Sequence, residues 1–121
     1  MNDFYYRKLQ VYHKAMTLVT TVYKLSSAFH QSERYALSDQ IQRAVISVPS
    51  NIAEGMGRMA VKERIHFLEI SYASMTEVLC QLDISQSVGY ISEEELENCR
   101  YKGFALYVIS AADWEKLCKK N

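Results

Sequence analysis

From Leu9 onward, apolar residues recur at alternating spacings of three and four, as Leu9, Tyr12, Met16, Val19 and Tyr23, and so lie along one stripe of a helix. A second stripe, Val11, Ala15, Leu18, Val22, Leu25 and Phe29, runs beside it. Two adjacent stripes make an apolar face wider than a single helix contact covers, so this helix is expected to touch several neighbours, within the chain or between subunits. The pattern lapses at Phe29-His30-Gln31-Ser32, and either Ser32 or Ser38 is placed to cap the next helix through its hydroxyl. That helix carries Leu37, Ile41, Ala44, Val48, Ile52 and Met56 on one side. Pro49 falls inside it and removes one backbone hydrogen bond, but the apolar register continues past it, which predicts a bend and not a stop.

Gly55, Gly57 and Arg58 mark a tight turn. A third, strongly apolar helix follows through Phe67, Leu68, Ile70, Tyr72, Met75, Val78, Leu79, Leu82 and Ile84, and Gly89 ends it. Ser92-Glu93-Glu94-Glu95 reads as a capping box, in which Ser92 accepts from the Glu95 amide while the Glu95 side chain reaches back. Its carboxylates also sit at the positive end of the helix dipole. The fourth helix runs through Leu96, Cys99, Gly103, Leu106, Ser110, Trp114 and Leu117, with Lys116, Lys119 and Lys120 at its negative end. Four helices of about 20 residues, each about 30 Å long and joined by short loops, predict an all-α fold: an antiparallel up-down-up-down four-helix bundle, one domain over 1–121.

Composition agrees. With 121 residues, 49% of them hydrophobic, one proline and four glycines, the chain is too apolar for disorder and too poor in turn residues for a many-stranded β fold. The net charge is zero, so no overall field draws the chain toward nucleic acid or membrane. The halves differ: residues 1–64 hold nine Lys/Arg against five Asp/Glu, and 65–121 hold five against nine. That asymmetry suits head-to-tail contact or a local basic face; scatter over solvated helix surfaces produces it equally well. Cys80, Cys99 and Cys118 are odd in number and lack C-x-x-C spacing, which reads as free thiols in a reducing compartment. The amino terminus lacks the apolar run of a signal peptide, and no apolar stretch approaches about 18 residues, so a soluble cytoplasmic protein is expected, without membrane contact.

The least ordinary feature is a polar run at helical spacing, Gln40, Arg43, Ser47, Ser50, Asn51 and Glu54, beside the apolar stripe of the second helix. Ser74, Glu77 and Gln81 match it on the third. Either these residues solvate one side of the bundle, or they form a polar seam in which Arg43 faces Glu77 or Glu54 and unpaired groups cost roughly 1–3 kcal/mol each. Catalysis would need Glu54 or Glu77 as base with Ser47 or Ser74, and no histidine or lysine on the stripe completes a relay, so no catalytic residue is assigned. His13, His30 and His66 lack metal spacing. Gly55 and Gly57 fit neither a P-loop nor a dinucleotide fingerprint, so neither metal nor cofactor is expected.

The segment from Leu37 to Gly55, Leu-Ser-Asp-Gln-Ile-Gln-Arg-Ala-Val-Ile-Ser-Val-Pro-Ser-Asn-Ile-Ala-Glu-Gly, is followed by Gly57-Arg58, Phe67-Leu-Glu-Ile and Ala73-Ser-Met-Thr-Glu77. Together with Leu9-Gln-Val-Tyr-His-Lys-Ala15 and Gly89-Tyr90-Ile91, it resembles the four-helix-bundle proteins encoded in intervening sequences of bacterial large-subunit ribosomal RNA genes. The resemblance covers nearly the whole chain, and its most specific part is Ser-x-Pro-Ser-Asn-Ile-Ala-Glu-Gly. It implies a homo-pentamer without catalytic residues. A related branch, the accessory variability protein of diversity-generating retroelements, is associated with binding nucleic acid and reverse transcriptase through a basic surface; this chain departs from it in being neutral overall.

A ring needs a heterologous interface, one patch meeting a different patch of the next subunit, and the charge split offers complementary patches. Arg58, Lys62 and Arg64 at one bundle end, with Arg7, Lys8 and Lys14 near the start, are the candidate basic side, facing RNA, DNA or a neighbour's carboxylates. The expected function is a non-enzymatic oligomeric bundle, a scaffold or weak nucleic-acid-binding module. The alternative is a pure assembly protein or adaptor for a protein partner. A third reading, a small-molecule site at the polar seam, requires a concave pocket holding Arg43, Asn51, Glu54 and Glu77.

Overall fold

The structure, a computed structural model, describes residues 4–29, 31 and 36–119, with side chains described as far as 107. The expectations for His30, Ser32 and Lys120, and for the side chains of Ser110, Trp114, Lys116, Leu117, Cys118 and Lys119, lie outside the described residues. A 3₁₀ turn over Tyr5–Lys8 leads into four helices: α1 (Gln10–Ser27), α2 (Leu37–Met56), α3 (Val61–Ser87) and α4 (Glu93–Lys119). No described residue is in a strand, so the fold is all-α.

The second apolar stripe of α1 supplies the core: Val11, Ala15, Leu18 and Val22 are almost completely buried. Tyr12, Val19 and Tyr23 of the first stripe are only partly buried, and Met16 remains 39% exposed. Facing them are Ile41, Val45, Val48 and Ile52 of α2, Leu68, Met75, Val78 and Leu82 of α3, and Leu96, Cys99 and Leu106 of α4. Each fully buried Leu or Ile contributes about 1.5–3 kcal/mol relative to exposure. α2 is continuous through the buried Pro49, as the unbroken apolar register requires.

Paired residues run in opposite directions along α1 and α2. Ser38 Oγ donates to the Ser26 carbonyl at 3.4 Å and Gln42 Nε2 to Ser26 Oγ at 2.8 Å, while at the far end Tyr6 and Tyr12 line one groove with Ser50 and Ala53. Ser38 is thus no cap. It sits buried inside α2, which starts after Ala36 without a side-chain cap. Between α2 and α3 the contacts pass from Gly55 beside Phe67 to Ser47 against Ser74. Between α3 and α4 they pass from Tyr72, whose hydroxyl donates to the Tyr107 carbonyl at 3.0 Å, to Asp83, 3.1 Å from Arg100. Lys102 Nζ donates to Thr21 Oγ1 at 2.8 Å and closes α4 onto α1, which completes the bundle arrangement.

The connection from α3 to α4 read from sequence has a visible cause. Gly89 takes φ 87°, a left-handed conformation natural to glycine, and the Tyr90 amide donates to the Ser85 carbonyl at 2.8 Å across it. The Ser92 amide donates to Glu95 Oε1 at 2.8 Å and the Glu95 amide to Ser92 Oγ at 3.0 Å, the reciprocal pair of a capping box.

Candidate functional site: a polar seam and a basic end

The seam between α2 and α3 is narrower than the polar stripe. Ser47 Oγ and Ser74 Oγ lie 2.8 Å apart, and Asn51 Nδ2 donates to both the carbonyl and the hydroxyl of Ser47 at 2.8 Å. Ser71, not singled out from sequence, belongs to the same contact: its buried hydroxyl donates to the Val48 carbonyl at 2.8 Å. The signal for it was its position three residues before Ser74 on the same face of α3. Short hydroxyl side chains bring the two backbones close and leave few polar atoms unsatisfied. Gln81 is the exception, buried with Oε1 accepting no hydrogen bond.

The remaining stripe residues face outward. Gln40, Glu54 and Glu77 are exposed. Arg43 pairs with Asp39 one turn back on its own helix, Nε to Oδ2 at 3.2 Å, with side chains 79% and 43% exposed, so the bond faces solvent and is worth at most a few tenths of a kcal/mol. The local partner wins over Glu77 or Glu54 because spacing of four on one helix needs no long side chain ordered across a gap. Arg43 and Glu77 do line a shallow open notch of about 300 Å³ with Gln40, Ala44, Ser47 and Ser74; Asn51 and Glu54 do not line it. No three His, Cys, Asp or Glu among the described residues cluster as a metal site.

The cations gather elsewhere. α2 runs out at Met56, and Arg58, Lys62 and Arg64 follow over the turn and the first residues of α3. Arg64 Nε donates to the Arg58 carbonyl at 2.6 Å, and the Arg58 guanidinium lies 4.9 Å from the centre of the Phe67 ring, so backbone and an aromatic face fix both arginines. Tyr6 packs beside Ser50 and Ala53 near the end of α2, which carries exposed Arg7 and Lys8 to the same end of the bundle. His13 Nε2 donates to the Arg7 carbonyl at 2.6 Å and pins that turn. Lys14 is exposed about a turn further along α1. Among the described residues, Glu54 and Glu63 are the acids near this end, and the cations outnumber them.

Sequence reading missed one surface. Tyr101 and Phe104 are 72% and 65% exposed on the side of α4 away from Leu96, Cys99 and Leu106, and Tyr107, 54% exposed, packs edge-on against Tyr72. Their spacing of three was visible, but they fall outside the stripe that marks the core. Cys80 and Cys99 are free thiols, exposed and buried respectively, and burial pushes the Cys99 thiol above its ordinary pKa. No helix among the described residues is long and apolar enough to cross a membrane.

These features define a small all-helical bundle held by a hydroxyl seam between its middle helices. Its sequence matches, over residues 7–105, the model of the 23S rRNA-intervening sequence protein family, and the chain belongs to that family. Its fold is similar to that of a protein of unknown function from the S23 ribosomal protein family of Bacteroides thetaiotaomicron. The TM-score is 0.79 at 19% identity, over 87% of this chain and 95% of that one. No curated protein matches the sequence.

Proposed function

We propose that the chain acts without catalysis, as a self-assembling helical module whose basic end binds RNA weakly. The observation that carries this is the convergence of Arg7, Lys8, Arg58, Lys62 and Arg64 on one end of the bundle, with Arg58 and Arg64 held in place. Fixed guanidinium groups suit phosphate oxygens, and little side-chain order is lost on contact. A role without catalysis is supported by the seam, where Ser47, Ser74 and Asn51 bond one another. Five copies in a ring is the assembly that family resemblance suggests, and each would add one basic end, which multiplies weak contacts. Free Cys80 and the membership of an rRNA-linked family favour the cytoplasm.

Fluorescence anisotropy with a labelled structured RNA tests the reading. Phosphate contacts by Arg58, Lys62 and Arg64 alone predict a loss of about fortyfold in affinity between 50 and 200 mM salt. Joint replacement of Arg58, Lys62 and Arg64 by Glu should abolish binding while the helical circular dichroism stays unchanged. A signal insensitive to salt and to these replacements would remove RNA from the account. The exposed aromatic ridge of α4 favours the second reading, an assembly protein or adaptor for a protein partner without nucleic acid.

A further inference from the structure

Two apolar surfaces of the bundle are left uncovered by the described residues. One is a groove of about 280 Å³ between α1 and α2, walled by Tyr12, Met16 and Val19 on one side and Ile46, Pro49 and Ala53 on the other. Met16 and Ile46 are 39% and 44% exposed at its rim. The other is a ridge, Tyr101 and Phe104 on α4. Because α4 lies against α1 and α3 while the groove opens between α1 and α2, ridge and groove face different directions.

Resting on the self-assembly proposed above, we infer that the α4 ridge of one copy seats in the α1–α2 groove of the next, a head-to-tail contact with α4 running parallel to the neighbour's α1. Three observations support a second copy as occupant. The small side chains at Pro49 and Ala53 leave a slot between larger walls, the shape that accepts an aromatic ring. Tyr101 and Phe104, about two-thirds exposed, have roughly 200–300 Å² between them to bury, about a third of the ~800 Å² each partner gives to a standard interface. The charges also match in order. Glu94, Glu97, Tyr101 and Phe104, spaced by three and four, form one stripe of α4 that reads acid, acid, aromatic, aromatic. The bond Arg100 donates to Glu97 at 3.3 Å faces solvent and is weak enough to exchange for an intersubunit one. Arg7 and Lys8 do not line the groove but stand exposed after Tyr6 on the 3₁₀ turn at its end, ahead of the lining residues Tyr12 and Met16. Glu97 to Phe104 and Leu9 to Met16 each span seven residues, about 10 Å of helix, so aligned aromatics bring carboxylates to cations. Because the two patches differ, the contact repeats from copy to copy and closes only as a ring or continues as a filament.

The test is complementation between two damaged surfaces, read by size-exclusion chromatography with light scattering. Phe104→Asp removes the ridge and keeps the groove; Ile46→Asp does the reverse. Both residues are exposed, and circular dichroism and a thermal melt matching the parent establish folding, with Phe104→Ser and Ile46→Ser used where an aspartate fails that check. The unsubstituted chain should assemble, each variant alone should run as a monomer, and their mixture should give a one-to-one dimer and nothing larger. Arg7 and Lys8 both changed to Glu should weaken assembly at low salt, and changing Glu94 and Glu97 to Lys in the same chain should restore it. If the unsubstituted chain assembles but either single variant keeps its full size, or the mixture stays monomeric, the ridge-and-groove pairing is wrong and self-assembly stands on other surfaces. Failure of the charge reversal to restore assembly overturns the parallel orientation. A monomeric unsubstituted chain overturns self-assembly itself.

Discussion

Gly55 is where the packing of α2 on α3 makes its sharpest demand. A methyl group built there meets the Phe67 Cβ at 2.9 Å and the Arg64 carbonyl oxygen at 3.3 Å, both too close for undisturbed neighbours. Gly57, two residues on, offers a control. Its added methyl finds only the Glu54 and Ala53 carbonyl oxygens at 3.5 and 3.8 Å, and its φ of −83° suits any residue. Inside a helix, glycine to alanine stabilises by roughly 1 kcal/mol through backbone entropy and propensity. At Gly55 that gain meets an overpacking cost of about 2–3 kcal/mol, the upper part of the usual range, because the obstructing atoms belong to a Cβ and a backbone, which move only with their helix. The expected net effect of Gly55→Ala is therefore a loss of about 1–2 kcal/mol, and Gly57→Ala should be neutral or gain up to ~0.5 kcal/mol.

At about 2.1 cal/mol/K per residue, unfolding 121 residues carries about 250 cal/mol/K, so 1 kcal/mol shifts the melting temperature by about 4 °C. Gly55→Ala should melt about 4–8 °C below the parent, with a lower urea midpoint at unchanged slope. A variant as stable as the parent would mean that α2 and α3 separate freely at this end. The close approach would then not hold Arg64 and Phe67, and the fixed geometry of the basic end would lose its structural basis.

Ser92→Ala removes half of the capping box of α4 and should lower stability by about 1 kcal/mol in urea melts, whereas Glu94→Ala, outside the reciprocal pair, should change little. Gln81→Met replaces a buried amide whose oxygen has no partner and should be neutral or stabilising; a loss above about 1 kcal/mol would reveal that the amide is satisfied. Cys80 should react with iodoacetamide in the native protein and Cys99 only on unfolding, read by peptide mass spectrometry, because Cys99 is buried with its thiol pKa raised. By linkage, the unfolded chain releases the Cys99 proton at lower pH than the native one. Stability should therefore fall as pH rises through the ordinary thiol range, and Cys99→Ala should remove that part of the fall.

Where one helix face is apolar and the other polar, sequence sufficed. The stripe Val11, Ala15, Leu18 and Val22, the capping box at Ser92 and the glycine stop at Gly89 needed only local spacing. α3 was harder, because its core face is partly polar: Ser71, Gln81 and Ser85 are buried while Ile84 and Val88 are 46% and 57% exposed. Periodicity counts apolar side chains and cannot see that Ser85 satisfies itself on the Gln81 carbonyl or Ser71 on Val48. It also places the start of α3 at Phe67, although the helix begins at Val61, since its first turns are solvated and basic. The basic residues themselves were legible; that Arg7 and Lys8 share an end with Arg58 is a product of tertiary packing.

The stretch most characteristic of the sequence, Ser47 to Gly55, is accounted for almost entirely by packing. Ser47 bonds Ser74, Val48 fills the core and accepts from Ser71, Pro49 and Ala53 floor a groove, Asn51 caps the Ser47 hydroxyl, Ile52 is buried, and Gly55 admits Phe67. Glu54 and Ser50 alone face solvent. Residue types at such positions are dictated by the approach of two backbones, and the same demand arises whatever the molecule binds. Function must then be carried by surfaces that packing leaves free. In the described structure these are the arginines beyond Gly57, the groove walled by α1, and the aromatic ridge of α4. Substitutions there should alter assembly or RNA binding with little change in melting temperature, and substitutions of Ser47, Val48, Asn51, Ile52 or Gly55 should do the reverse. A variant of Ser47 or Asn51 that abolished RNA binding in a fully stable protein would overturn this division.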